Sequence, residues 1–426
     1  MASALEYRLR FRDPLRRALR RLFPSPWSFL LGEMALFSFV ALVLSGTYLA
    51  LFYDPGDAYA SVVGISTRVP FGEVVRRFHH FSAHLFLGSL VLHAARVYFT
   101  GAFRRPREVT WWIGLTLFAL AIVNGYSGYC LPWDMRAGTA TRMSMTTLAS
   151  IPWVGGWLAT FAFGAPFPGP FILGRLYLSH VFLVPALIAA FLALHLLLVV
   201  RLTHTDYPGR GRTEEIEVGA SLWPEQTARS TALVFLVFGW AALLAAFLPV
   251  ESVAVYGPFQ QDASYPPLQP DWFLMWIEGA YRLIPRQLGF HLVGANFTNP
   301  FYGAVVLPLL VFGGCAVYPF VDARIYRTPR RDHHLLDHPS RRPFRTAFGV
   351  SGLLFLVFVS MGALDDRIAA AFRAEVWQVD VVWGVLTLAV PPAIFVAALL
   401  WLRLPLRSRG VAAGTADASQ RPSFPL

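Results

Sequence analysis

The 426-residue sequence has the composition of a membrane protein. Hydrophobic residues make up 56% of it, charged residues only 14%, and the mean hydropathy is +0.51, which excludes an ordinary water-soluble chain. All 36 basic residues are arginines, and they cluster between apolar runs rather than along one polar face. That distribution indicates contact with a membrane surface and no nucleic-acid partner. The two cysteines, Cys130 and Cys315, lie in apolar sequence and predict no disulfide framework.

Eight apolar segments are long enough to cross a bilayer as helices, since a crossing needs about twenty apolar residues. The first follows an arginine-rich N-terminal stretch without a small-residue cleavage site, so we interpret it as a retained helix. If the N terminus is cytoplasmic, the connections on that side hold 25 arginines and the outside connections hold 10. We therefore predict an all-α membrane protein with eight transmembrane helices and both termini in the cytoplasm. The predicted spans are 28–53, 78–100, 111–131, 176–202, 229–250, 300–321, 346–364 and 380–402.

The connections divide the chain into two membrane domains. Those at 132–175 and 251–299, on the predicted outside, are long and rich in Pro, Gly and Trp, which favours structured caps over flexible linkers. The C-terminal residues are rich in Ala, Gly, Ser and Pro, which predicts disorder. The predicted order is a basic cytoplasmic segment at 1–27, a four-span domain at 28–205, a second four-span domain at 206–402 and a disordered tail at 403–426.

Four histidines lie in the second and fourth spans with nearly the same spacing. His79 and His93 are fourteen residues apart and His180 and His195 fifteen, so each pair shares a helix face, with about 21 to 23 Å between its members. The two spans run in the same direction, so His79 can face His180 near the outside and His93 can face His195 near the inside. Ionisable residues inside a span are costly and indicate function. Two imidazole pairs suit two low-spin hemes, whereas buried hydrogen-bonded histidines or a proton pathway would explain single residues but not matched pairs.

Glycines repeat with the same period on the other two spans of this domain. Gly32 and Gly46 lie in the first span and Gly114 and Gly128 in the third, each pair fourteen residues apart. A porphyrin edge that passes between helices needs positions without a side chain, so we predict that these glycines border the hemes. Close helix packing would explain any one of them, but not two pairs with this spacing.

Other polar residues lie close to these histidines along the chain. Arg76, Arg96 and Arg175 lie within five residues of a predicted ligand and could pair with the anionic heme propionates. Snorkelling to the membrane interface explains them equally well. His80 and His84 lie on other helix faces than His79, and we interpret them as packing or partner contacts.

Two motifs add a family resemblance to this pattern. Residues 128–133 read GYCLPW, similar to a GYxLPW motif, and residues 270–273 read PDWF where the same family has PEWY. Together with the histidine and glycine ladders, they resemble the cytochrome b family of bc1 and b6f complexes over nearly the whole chain. The resemblance implies a four-helix bundle enclosing two b hemes, with His79 and His180 ligating the outer, low-potential heme and His93 and His195 the inner, high-potential heme. The fifteen-residue spacing is similar to b6f and some bacterial members.

The resemblance also implies a function and partners. Quinol would be oxidised at an outer pocket between the 132–175 cap and the PDWF segment. One electron would pass to a Rieske iron–sulfur protein and a cytochrome c-type subunit, and the other through the two hemes to quinone at an inner pocket, contributing to the proton-motive force. The expected setting is a homodimeric complex in a bacterial cytoplasmic membrane.

At the outer pocket, Asp271 is the candidate base for a quinol proton. Pro270, Trp272 and Phe273 complete the motif, and Glu278 could relay the proton or stand in for the shorter acid if the stretch between Asp271 and Glu278 is helical. The motif departs from the family pattern, because Asp271 is one methylene shorter than glutamate and Phe273 lacks a tyrosine hydroxyl. The identity of the proton acceptor therefore stays open, with an ordinary solvated carboxylate as the alternative for either acid.

At the inner pocket, His204 resembles the quinone-contacting histidine of the family, although a surface-loop histidine explains it equally well. We predict that four further histidines are solvent-exposed: His291, His333, His334 and His338. Two other functions remain open. A di-heme membrane anchor of another quinone-linked oxidoreductase rarely needs eight spans or these two motifs, and a heme-free transporter predicts broken helices and midplane charges.

Overall fold

The computed structural model describes residues 22–24, 26–209, 211–215, 218–263, 269–329 and 331–404. Most of the predicted basic segment and nearly all of the predicted disordered tail lie outside the described residues. The described chain is mainly helical, with two pairs of very short antiparallel strands. The predicted all-α membrane fold is thereby confirmed.

The N-terminal half contains four long helical runs and a helical cap. A 3-10 turn, Trp27–Leu30, leads into the first long helix, and a π turn, Ser179–Leu183, joins the two parts of the fourth. The elements are β1 (Leu22–Phe23), α1 (Leu31–Ala50), α2 (Ala58–Thr67), α3 (Gly72–Thr100), α4 (Glu108–Cys130), α5 (Met135–Ala149), α6 (Gly155–Phe163), α7 (Ile172–Leu178) and α8 (Val184–Leu202).

The C-terminal half also contains four long helical runs, with an irregular cap between its first two. Strand β2 pairs with β1, so that Leu22 lies opposite Ser221 and the halves are joined at this end. The elements are β2 (Ala220–Ser221), α9 (Thr227–Phe247), α10 (Val253–Tyr256), α11 (Met275–Leu283), β3 (Phe290–Leu292), β4 (Ala295–Phe297), α12 (Asn299–Phe301), α13 (Leu307–Ile325), α14 (Pro343–Met361), α15 (Asp365–Phe372) and α16 (Val376–Arg403).

Helices α1, α3, α4 and α7–α8 form the first bundle. Helix α1 packs along α3 and α8 packs along α4, while α9 lies against α1 and α3. The middle of the bundle is an apolar cluster to which all four helical runs contribute, and Phe273 from the second half inserts into it. Its buried members are Ala35, Phe39, Phe86, Leu87, Ile113, Leu117, Ala121, Val184, Ile188 and Phe273. In the second half, α14 packs along α16 and against α11.

Seven helical runs in the described residues are long and apolar enough to cross a membrane. They correspond to seven of the eight predicted spans. The eighth long helix, α3, has 29 residues but also carries Arg76, Arg77 and Arg96 together with four histidines, which lower its hydropathy. The eight-span topology therefore stays a prediction. Large apolar side chains such as Phe235 and Leu388 lie on the outside of the helices, as expected where lipid replaces water.

A buried ion network ties the bundle to the second half at the predicted cytoplasmic end. Arg345 and Asp322 are both 0% exposed and are joined by two hydrogen bonds of 2.6 and 2.8 Å. Asp337 adds contacts to Arg345 at 2.9 Å and to Arg104 at 3.2 Å. Gly101 ends α3 with φ of +68°, and a Cβ at this position would meet the Arg345 guanidinium. Glycine at this position therefore permits the chain reversal and the ion network together.

Candidate functional site

The structure brings the two predicted outer histidines together. The ring centroids of His79, on α3, and His180, in the π turn between α7 and α8, are 6.2 Å apart with their planes at 73°. Both side chains lie inside the bundle. This separation leaves room for a metal ion between two ring nitrogens, since metal–imidazole bonds are about 2 Å long.

Hydrogen bonds indicate which nitrogen of each outer ring is free. His180 Nδ1 lies 2.9 Å from the Asn124 carbonyl oxygen, which can only accept, so Nδ1 carries the proton. Ser45 Oγ donates to the Ala41 carbonyl at 2.6 Å and therefore accepts from His79 Nδ1 at 2.9 Å. In both rings Nε2 is then left with its lone pair. This is the arrangement in which a second hydrogen bond orients a metal-binding imidazole.

The predicted inner pair is also brought together. His93 on α3 and His195 on α8 lie close enough to interact electrostatically. His93 Nδ1 is buried and has no hydrogen-bond partner among the described residues. His93 and His195 thus lie near each other, as predicted. His93, however, lacks a hydrogen bond at Nδ1 like those that orient the two outer rings.

Each predicted glycine lies against a different predicted histidine. A Cβ built at Gly32 would be 3.1 Å from His93 Cε1, and one at Gly46 would be 3.0 Å from His79 Cε1. At Gly128 it would overlap the His180 ring, whereas at Gly114 it would be 3.6 Å from His195 Cε1, an ordinary contact. The missing side chains therefore make room for the imidazoles themselves. Their predicted role beside a porphyrin edge stays a prediction.

The π turn explains why the spacing in the fourth span is fifteen residues. Pro185 has no N–H, so the hydrogen-bond pattern must change just before it, and Val184 N–H instead reaches back to the Ser179 carbonyl. A π turn adds about one residue to a helical turn. The extra residue in the π turn offsets the extra residue in the spacing. His180 and His195 therefore lie on the same helix face, as two residues fourteen apart do in a regular helix.

The three predicted propionate partners differ in their surroundings. Arg76 forms an ion pair with Glu73 at 3.1 Å, and Arg175 is exposed and donates to the Phe161 carbonyl. Arg96 lies 3.8 Å above the Phe29 ring, and its Nε and Nη2 atoms are buried without a partner among the described residues. Such unmatched donors fit an anionic group at this position. Of the three, Arg96 is the best placed for a propionate.

The histidine pairs fit heme iron better than a bare metal ion. Among the described residues, no group of three or more His, Cys, Asp and Glu side chains could hold a metal. A b heme would need only two protein ligands, because its macrocycle supplies four nitrogens. The outer pair, with two free Nε2 atoms, matches that requirement, and the unmatched donors of Arg96 lie near the inner pair.

The PDWF segment packs against the first bundle. Phe273 is 7% exposed and packs into the bundle core, where a Cβ at Gly125 would come within 2.9 Å of its ring. Asp271 is partly buried and interacts electrostatically with His84, Tyr129 and Arg136. The aromatic ring therefore anchors the segment and the carboxylate lies among polar groups of the cap and bundle.

The structure does not support the helical relay considered for Glu278. Helix α11 begins at Met275, so Asp271 precedes it and does not share its face. Burial raises the pKa of Glu278, but Arg282 opposes this shift and binds its carboxylate at 2.6 Å. Arg282 also binds Asp365. Glu278 therefore belongs to an ion cluster that connects α11 with α15.

His204 lines a cavity of about 240 Å³ at the predicted inner end. Its ring lies 4.6 Å from that of Phe23. The walls combine apolar side chains with acidic ones and a second histidine. The lining residues are Leu22, Pro24, Thr203, His204, Thr205, Asp206, Thr213, Glu214, Glu215, Val218, His334 and Leu335.

The prediction of exposed histidines is wrong for two of the three histidines in the loop before α14. His333 is only 6% exposed, and its Nδ1 lies 3.7 Å from Glu214. His334 is partly buried, and its ring accepts from Arg107 at 3.1 Å. The loop folds back onto the bundle, where arginine and glutamate side chains satisfy its backbone. His291 and His338 are exposed, as predicted.

A polar cluster between α1 and α9 was not predicted from the sequence. Glu33 accepts hydrogen bonds from Gln226 at 2.8 Å and from Ser230 at 2.6 Å. Gln226 is buried. The signal in the sequence was Glu33 itself, a single acidic residue in the first turn of an apolar span, which predicts a polar partner.

Comparisons with known proteins agree with this architecture. Residues 84–258 match the family model cytochrome b (N-terminal)/b6/petB. Cytochrome bc1 complex cytochrome b subunits are similar: that of Streptomyces coelicolor is 36% identical over 84% of this chain and 69% of its own length, and that of Mycobacterium tuberculosis is 36% identical over 91% and 74%.

The fold also resembles a solved structure, a hyperthermophilic respiratory Complex III. The TM-score is 0.71 with 22% identity, over 94% of this chain and 98% of that one. The two bc1 subunits are matched over more than two thirds of their own length. The chain belongs to the cytochrome b subunits of the cytochrome bc1 complex.

Proposed function

We propose that this cytochrome b oxidises quinol at the outer side and reduces quinone at the inner side, contributing to the proton-motive force. Its family implies heme b. His79 and His180 would hold one heme and His93 and His195 the other, and the hemes, when bound, supply one-electron transfer. The observation that carries this proposal is the outer histidine pair, in which hydrogen bonds to Ser45 and Asn124 leave both Nε2 atoms free.

At the outer site, Asp271 accepts a proton from the quinol hydroxyl. Its position among His84, Tyr129 and Arg136 supports this role, because a general base must lie within reach of the group whose proton it accepts. Trp272 and Pro270 shape the approach to the carboxylate, while Phe273 holds the segment in the bundle.

At the inner site, His204 contacts quinone and acidic residues of its cavity supply protons. Burial raises the pKa of Asp206, although Arg212, which pairs with its carboxylate at 3.1 Å, opposes this shift. Burial acts in the same direction on Glu214, but the N–H groups of Leu335 and His334 hold its pKa below the ordinary value. Of the two acids, Asp206 is the one whose pKa is raised, and we propose it as the proton donor of this cavity.

The proposed setting follows from the relatives, which are named as bc1 complex subunits. This chain would work with a Rieske iron–sulfur protein and a cytochrome c-type subunit in a homodimeric complex of a bacterial cytoplasmic membrane, with both termini in the cytoplasm. Residues 28–205 would form the di-heme domain and 206–402 the quinol-site domain. Family membership argues against a heme-free transporter and against the membrane anchor of another oxidoreductase.

The test uses the purified complex and its Asp271→Asn variant. The reduced-minus-oxidised spectrum should show two b-type components in both proteins. Quinol oxidation should fall about 10²-fold or more in Asp271→Asn and recover in Asp271→Glu, because only the latter restores a base. A single b component, or full activity in Asp271→Asn, would refute the heme or the outer-site assignment respectively.

A further inference from the structure

A hydrogen bond connects the PDWF segment to the middle of α3. Trp272 is 43% exposed, yet its indole Nε1–H donates to His84 Nδ1 at 2.9 Å. His84 Nε2 lies 2.9 Å from His80 Nε2. The three side chains form a short chain that runs from the outer cap onto the bundle helix.

The donor properties of indole determine the protonation of this chain. Indole can donate but cannot accept, so His84 Nδ1 must present its lone pair to Trp272. The neutral His84 ring therefore carries its proton on Nε2, which donates to His80 Nε2. Both nitrogens of His84 are then engaged, and the ring has no free lone pair for a quinol proton.

We propose that His84 is a positioning residue that sets the place of Asp271 by holding the neighbouring Trp272. This inference rests on the proposed outer quinol site. Phe273 fixes the C-terminal side of the segment in the bundle core, and the Trp272–His84 hydrogen bond fixes the residue next to Asp271. Without it, a half-exposed indole is free to change rotamer and the carboxylate beside it loses a fixed position.

Three substitutions at one position separate the two hydrogen bonds. His84→Asn places an amide oxygen where Nδ1 lies and can still accept from Trp272. His84→Gln places its amide near the Nε2 position and keeps only the contact with His80. His84→Leu removes both. Each variant is measured in the whole complex for quinol kcat, KM, pH profile, outer-site inhibitor affinity and b-heme spectrum.

We expect His84→Leu and His84→Gln to raise the quinol KM and weaken the inhibitor roughly tenfold, the worth of one hydrogen bond to a positioned group. His84→Asn should stay within about twofold of wild type. The pH profile of kcat should not move, because the base is unaltered, and both b components should remain. Equal loss in all three variants, no loss in any, or a shifted pH profile would each overturn the positioning role.

Trp272→Phe provides the second variant, since it removes the donor but keeps an aromatic ring. It should reproduce the KM of His84→Leu, and the double variant His84→Leu/Trp272→Phe should be no worse than either single variant. Additive effects would contradict the proposal. If Asp271→Asn is fully active, the proposed outer site itself fails; if Asp271→Asn is impaired while Trp272→Phe and His84→Leu are normal, only the positioning role fails.

Discussion

The outer and inner histidine pairs share spacing, helices and matched glycines, but they differ in how firmly the protein holds them. In the outer pair, Ser45 and Asn124 orient both rings through Nδ1, and Gly128 lies so close to His180 that a methyl group would overlap it. In the inner pair, His93 Nδ1 has no partner among the described residues, and a methyl at Gly114 would make an ordinary contact.

This difference indicates that the outer site is preorganised by the protein. Ring orientation at the inner site would then depend more on the bound group itself. Preorganised ligands lose less freedom on binding, so small changes should cost more at the outer pair than at the inner one.

Removal of one histidine ligand should have the largest effect, because it tests the outer and the inner pair separately. His93→Leu should delete the inner b component and leave the outer one, and His79→Leu should do the reverse, because one imidazole cannot hold a bis-histidine heme. The reduced-minus-oxidised spectrum of the purified complex checks both. Retention of two components in either variant would contradict the ligand assignment.

The matched glycines should differ in their tolerance of a methyl group. Gly128→Ala should weaken the outer heme, since the overlap with His180 costs about 1–3 kcal/mol in strain. Gly114→Ala should be close to neutral for the inner heme, because the new Cβ would lie 3.6 Å from His195 Cε1, an ordinary van der Waals contact. Heme content and thermal loss of each b component measure the difference. Equal losses in the two variants would show that the pairs are equally tight.

Ser45→Ala should affect the outer heme alone. The substitution removes the acceptor that orients His79 Nδ1, and loss of such an orienting partner lowers metal affinity by about tenfold. Thr47→Ala is a suitable control, because Thr47 is exposed on the same helix and its hydroxyl donates to the Val43 carbonyl of that helix. Heme retention during dilution in a heme-binding scavenger measures the effect, and equal behaviour of the two variants would count against the role of Ser45.

Arg96→Gln should have the smallest effect, a lower midpoint potential of the inner heme. A buried positive charge favours the reduced state, so its removal should lower the potential by roughly 60 mV, a tenfold change in a one-electron equilibrium. Arg175→Gln is the control, because Arg175 is exposed and bonded to the cap. Redox titration distinguishes the components, and a larger shift from Arg175 would reverse the assignment.

Periodic features of this site could be predicted from the sequence because they depend on one helix at a time. The spacing of His79 and His93, the glycine ladders and the direction of the spans follow from helix geometry and the length of a bilayer crossing. The fifteen-residue spacing was the exception. His180 and His195 align on one helix face as closely as His79 and His93 do only because of the π turn before Pro185. That local change in hydrogen bonding cannot be read from residue spacing.

Contacts between distant segments could not be predicted in the same way. Three examples depend on how a loop or cap folds onto another helix. They are the burial of His333, the hydrogen bond from Trp272 to His84 and the ion pair between Glu278 and Arg282. Polar residues in loops carry no periodic signal, so their partners are decided by the path of the chain between the helices.

The amino-acid sequence by itself determined the membrane class, the order of the long helices and the pairing of the four histidines, since these follow from hydropathy and the helical repeat. Only the tertiary structure decided which nitrogen of each outer histidine is free, which arginine keeps unmatched donors and where the PDWF segment attaches to the bundle. The physical reason is that hydrogen bonds have short range and strict direction, so they exist only once separate helices have packed together.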